Sequence, residues 1–129
     1  MSKDLGRRGT TKKTGDERLH AGKADLGVDL LGFWQWSVSD LVSNVTRGRL
    51  AEFIVARALG VRIDGVRDEW AAFDLITAAA VKLEVKSAAF LQSWHQERPS
   101  SITFLTPATR KWNPETNAQS REAKRQADV

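Results

Sequence analysis

The chain has 129 residues, 41% of them hydrophobic and 28% charged, the size and balance of one globular domain with a modest core. It has no cysteine, which excludes disulfides, thiolate zinc sites, iron–sulfur clusters and cysteine nucleophiles together. The net charge of +4 resides in residues 1–24, which carry seven basic and three acidic side chains against thirteen of each in the remainder.

No run approaches the roughly 18 apolar residues that a membrane span requires, and residues 1–19 are basic and polar without an apolar stretch behind them, unlike a secretory signal. A cytoplasmic setting and no membrane partner are therefore expected. Residues 1–29 read as a basic, flexible N-terminal tail in which Gly6, Gly9, Gly15 and Gly22 interrupt any pattern. Lys12 and Lys13 within it are candidates for phosphate contacts. Residues 30–129 read as the folded domain.

Residues 30–36 concentrate Leu30, Leu31, Phe33, Trp34 and Trp36 in what reads as an apolar flap, with Ser37, Ser39 or Asp40 placed to cap a short helix after it. The clearest helix covers residues 47–59, with Leu50, Phe53 and Ile54 on one stripe, Val55, Ala58 and Leu59 beside it and Gly60 as its C-cap. Being apolar around most of its circumference, it is expected to be largely buried. Glu52 lies among those apolar residues and needs a partner, for which Arg47 and Arg49 are at hand. Residues 61–69 are too mixed to assign.

Two strands are predicted over residues 72–77 and 81–87. In the second, Val81, Leu83 and Val85 alternate with Lys82, Glu84 and Lys86, the period of a strand with one face in the core. A three-residue loop at Ala78, Ala79 and Ala80 pairs Leu75 with Leu83 and Phe73 with Val85; a two-residue loop misaligns these apolar faces. The favoured register sets Asp74 opposite Glu84, with Cβ atoms ~5 Å apart. Two opposed carboxylates repel, so a cation is expected between them. Lys86, roughly 6.6 Å along the same face from Glu84, relieves part of the repulsion, and a divalent ion relieves more. A solvated salt-bridge ladder of Asp74, Glu84, Lys86 and Lys82 is the plainer alternative.

A helix with an inward glutamate, a strand with an aspartate, and a strand with Glu-x-Lys together resemble the PD-(D/E)xK, or restriction-endonuclease-like, nuclease superfamily. The resemblance spans residues 47–106: Asp74 at the motif aspartate, Glu84-Val85-Lys86 at the (D/E)xK triplet, and Glu52 at the acidic position on the first core helix. Phe73 stands where the family name places proline. The resemblance implies an α/β fold with an αβββαβ core and a metal-dependent endonuclease acting on nucleic acid, DNA first. It implies magnesium or manganese held by Asp74, Glu84, the Val85 carbonyl and, through water or a second ion, Glu52, with Lys86 acting on the attacking water. The alternative is a catalytically idle nuclease-like fold that binds DNA or serves assembly.

Beyond the triplet, Gln92 sits where some members carry a glutamine near the nucleic acid, and Trp94 reads as core filling. A third strand is expected over residues 102–106. Asn113-Pro114-Glu115 reads as a helix start, and Arg110, Lys111, Arg121, Lys124 and Arg125 form a loose basic set. The last strand of the core is expected to be lacking, which invites a homo-oligomer or a completing partner chain.

Overall fold

The computed structural model describes residues 5–129. It is a mixed α/β structure with two helices and three small antiparallel sheets. Strands β1 (Arg18–Ala21) and β2 (Ala24–Asp29) form a hairpin and lead directly into helix α1 (Leu30–Val38), followed by helix α2 (Asn44–Ala58). Strands β3 (Leu75–Ile76) and β4 (Lys82–Leu83) form the second hairpin, and β5 (Thr109–Asn113) and β6 (Ala118–Lys124) the third. No helix among the described residues is long and apolar enough to cross a membrane.

The basic N-terminal segment is more ordered than its composition suggests. Gly22, at φ 61° in a two-residue loop with Lys23, reverses the chain between β1 and β2, because glycine accepts a left-handed backbone at the first loop position without steric cost. The Arg18 guanidinium forks onto Asp25 across the hairpin at 3.1 and 3.2 Å. Gly15 is buried, and a Cβ there would lie 3.2 Å from the Trp34 ring. The Leu31 N–H donates to the Gly15 carbonyl at 2.9 Å. This segment is thus seated on α1, and the absence of a side chain at Gly15 is what lets Trp34 close over it.

Residues 30–38, expected as a flap, form a helix whose cap is Asp29, which accepts from the Gly32 N–H at 2.8 Å. Asp40 does not cap a helix of its own; it accepts from the Val42 and Ser43 N–H groups in the turn between the two helices. Helix α2 begins three residues earlier than expected and ends as predicted: Gly60 adopts φ 65°, and Val61 N–H returns to the Ala56 carbonyl at 2.9 Å.

The burial expected of α2 is not found. Gly15, Glu52 and Ala56 are the buried residues among those described, while Phe53 and Ile54 are 53% and 57% exposed. A helix needs a continuous apolar face opposite it, and three separate two-stranded ribbons do not supply one. Two further expectations are corrected. Residues 102–106 are not in a strand. Residues 113 onward turn back as β6: Asn113 accepts from the Glu115 N–H at 2.9 Å in an Asx-type turn, and Asn117, at φ 53°, takes the left-handed position that asparagine tolerates. The same side chain that reads as an N-cap serves a turn equally well.

The central hairpin has the predicted register, Leu75 opposite Leu83 and Ile76 opposite Lys82. Thr77 N–H donates to the Val81 carbonyl at 2.9 Å, closing the three-residue loop 78–80. Ala80 occupies the left-handed position at φ 61°, where glycine is the residue of choice in such loops. An L-residue there costs about 1–2 kcal/mol, against about 0.5–1 kcal/mol of extra unfolded-state entropy for glycine. Ala80→Gly is therefore expected to stabilise the protein by about 0.5–1 kcal/mol in urea denaturation; a loss of stability would show that this loop geometry does not form.

Candidate functional site

The register of β3 and β4, carried one residue further, sets Asp74 opposite Glu84. The ladder ends there for a local reason. Val85 N–H donates to a side-chain oxygen of Asp74 at 2.7 Å, and Asp74 N–H donates to the Leu83 carbonyl at 2.9 Å. Asp74 thus takes a ladder donor into its own carboxylate, and the expected Phe73–Val85 pair is not part of the sheet. Glu84 is ion-paired with Lys86 on its own strand. The other edge of β4 is bonded to residues near the end of the sequence: Glu84 N–H donates to the Val129 carbonyl at 2.7 Å, and Lys82 N–H donates to the Asp128 carboxylate at 2.9 Å.

Glu52, on α2, is 9% exposed. Its partner is neither Arg47 nor Arg49. The Arg47 guanidinium donates to the Val42 carbonyl at 3.0 Å, to Asn44 at 2.7 Å and to Gln92 at 3.4 Å, and Arg49 pairs with Glu69 at 3.0 Å. Arg67 fills the role, its Nε and Nη2 both donating to the Glu52 carboxylate. The same guanidinium reaches Glu69 at 3.1 Å and Asp74 at 3.6 Å. Sequence reasoning passed over Arg67 because residues 61–69 carry no periodicity. The available signal was the charged run Arg67-Asp68-Glu69 in the link between a helix with an unpaired inward acid and a strand with another.

These contacts gather Glu52, Asp74, Glu84 and Lys86 around one end of the central hairpin. Burial pushes the Asp74 carboxyl above its ordinary pKa; the charges of Glu52 and Glu84 add to the rise, and the Val85 N–H and Arg67 oppose it. Among the described residues, no group of three or more histidine, cysteine, aspartate or glutamate side chains is placed to hold a metal ion. The donor chemistry of Asp74 and Glu84 nevertheless suits magnesium, a hard cation that is commonly held by one or two carboxylates and keeps several waters. Glu52 is committed to Arg67 in this arrangement.

The nucleic-acid candidates are spread out. Gln92 donates to the Ala89 carbonyl at 2.9 Å, and its own N–H donates to Gln96 at 2.7 Å. Its amide thus shapes the loop after β4, together with Gln96, which reaches Ser100 at 2.9 Å. Trp94 is 56% exposed and so does not fill a core. Lys12 donates to the Ile63 carbonyl at 3.4 Å, and Lys13 is exposed. Arg110, Lys111, Arg121 and Lys124 lie on the β5–β6 ribbon. Arg125, just past that ribbon, and Glu84 line one cleft of about 130 Å³ together with Thr109 and Asp128. Compared with models of protein families, curated proteins and solved structures, the chain has no significant match in any of the three.

The raised pKa of Asp74 makes a signed prediction. Between the ordinary aspartate value of 3.8 and the raised folded value, the native state binds more protons than the unfolded state. The stability tied to protonated Asp74 is present below 3.8 and lost as pH rises through the folded pKa. Asp74→Asn keeps an oxygen to accept from Val85 and removes the penalised charge. Its melting midpoint at pH 7 is expected to match or exceed that of the parent, with the gain shrinking toward pH 4. A variant less stable at pH 7 would show that the 3.6 Å contact with Arg67 outweighs the cost of burial.

Proposed function

We propose that the chain is a divalent-metal-dependent endonuclease of the restriction-endonuclease-like kind, with DNA as its substrate class. The observation that carries this reading is the register that sets Asp74 opposite Glu84 with Lys86 ion-paired beside it. The order of helix α2, β3 and β4, with Glu52 facing inward, supports it further. Magnesium or manganese, when bound, supplies a Lewis acid for phosphoryl oxygens. Asp74 and Glu84 would hold it, the Val85 carbonyl lying between them in sequence. Lys86 is placed to orient and take a proton from the attacking water, and the basic β5–β6 ribbon, sharing a cleft with Glu84 through Arg125, offers cations to a phosphate backbone.

One observation favours a second reading, a nuclease-like module that binds without cutting. Arg67 already supplies the positive charge that the carboxylates require.

Cleavage of plasmid DNA in magnesium or manganese, measured alongside metal binding by calorimetry, separates the two. Lys86→Ala is expected to retain metal binding and lose cleavage by about 10²-fold or more, the scale of a lost general base. Glu84→Ala is expected to lose both. DNA binding without cleavage or metal uptake by the parent protein would establish the second reading.

A further inference from the structure

Arg67 belongs to the link between α2 and β3 and carries the residue-level contacts that any metal reading of this site must meet. Its guanidinium is permanently charged. It lies across Glu52 with two hydrogen bonds, one of them 2.8 Å, and spans Glu69 at 3.1 Å and Asp74 at 3.6 Å. Glu52 and Asp74 are the less exposed acids of this set, with side chains 12% and 18% exposed, whereas the Arg67 side chain is 36% exposed and so has room to leave. We infer that Arg67 is a resident counter-ion that competes with a divalent cation for the Asp74 carboxylate, so that metal uptake requires Arg67 to withdraw.

The electrostatics follow from position. A divalent ion at Asp74 would sit within a few ångströms of a guanidinium already in contact with the same carboxylate, where like charges repel by several kcal/mol even at an effective dielectric near 20. Two arrangements relieve the conflict: the ion stays away, or the guanidinium moves toward solvent. A withdrawn Arg67 presents a planar fork suited to a phosphate, which makes exchange of its partner from carboxylate to phosphate a physical route by which nucleic acid favours the metal-loaded state.

The inference rests on the proposed metal-dependent reading, and the test keeps the two apart. Manganese binding is measured by calorimetry on the full chain for the parent, Arg67→Met, Glu52→Gln and the double variant Glu52→Gln/Arg67→Met. Arg67→Met leaves Glu52 buried without a partner and risks unfolding, so the decisive comparison is the double variant against Glu52→Gln, in which no orphaned charge is created. Removing Arg67 is expected to tighten manganese binding at least tenfold in this pair. Binding that is unchanged or weaker without Arg67 overturns the inference and leaves the metal reading standing. Absence of manganese binding in all four proteins overturns the metal reading and the inference with it.

Discussion

The contact between Glu52 and Arg67 ties together parts of the chain that otherwise share little packing. Glu52 sits on α2 and Arg67 in an irregular link, and the same guanidinium extends to Asp74 at the start of the central hairpin. With Ala56 the one buried apolar side chain among the described residues, hydrophobic burial is a weak source of relative placement for these pieces. The ion pair takes over part of that role because its geometry is directional: two parallel hydrogen bonds fix the angle of the guanidinium plane as well as its distance. Losing one member of a buried pair costs about 3–5 kcal/mol, whereas exchanging both for matched apolar residues is close to neutral. Here Arg67 is a third exposed, so water screens the contact and the lower part of that range applies. The pair is better understood as a positioning device than as a store of stability.

That view explains why Asp74 is held where its charge is disfavoured. The carboxylate is half-buried, faces Glu84 and lies near Glu52, and all three circumstances raise its pKa. Against them stand one backbone donor, Val85 N–H, and one distant cation, Arg67. A chain selected for stability alone has simpler choices at this position, since an asparagine would accept the same hydrogen bond without the charge. An aspartate kept in a costly setting, next to a second acid and a lysine, is the pattern expected where ionisable groups act on a ligand.

How much of this was legible depended on how local the cause was. The Leu75–Leu83 register follows from matching apolar faces across a loop of odd length, and Gly60 from the left-handed cap at the end of α2; both are decided within a dozen residues, and both are found. Asn113-Pro114-Glu115 is local too, yet ambiguous, because an Asx turn and an N-cap use the same side-chain acceptor. The partner of Glu52 was illegible because it lies fifteen residues away in a segment without period. The seating of Gly15 under Trp34 was illegible for a different reason: in composition a glycine that permits close approach looks the same as one that loosens a tail.

The exposed apolar residues of α2 and the charged cluster beside them then belong to one problem. Phe53 and Ile54 face solvent because no continuous sheet lies against the helix, while Glu52, between Ala51 and Phe53, is the residue that turns inward. Helical geometry puts Glu52 and Ala56 on one face, four residues apart, and these are the two buried side chains among the described residues. The inward face of α2 is thus narrow, with the small Ala56 allowing close approach and Glu52 beside it receiving Arg67. A wider apolar contact would hold the helix more firmly but would leave no room for a guanidinium to reach both Glu52 and Asp74. The sparse packing on this side and the reach of Arg67 are therefore two consequences of the same local choice, a small residue placed one turn after an acid.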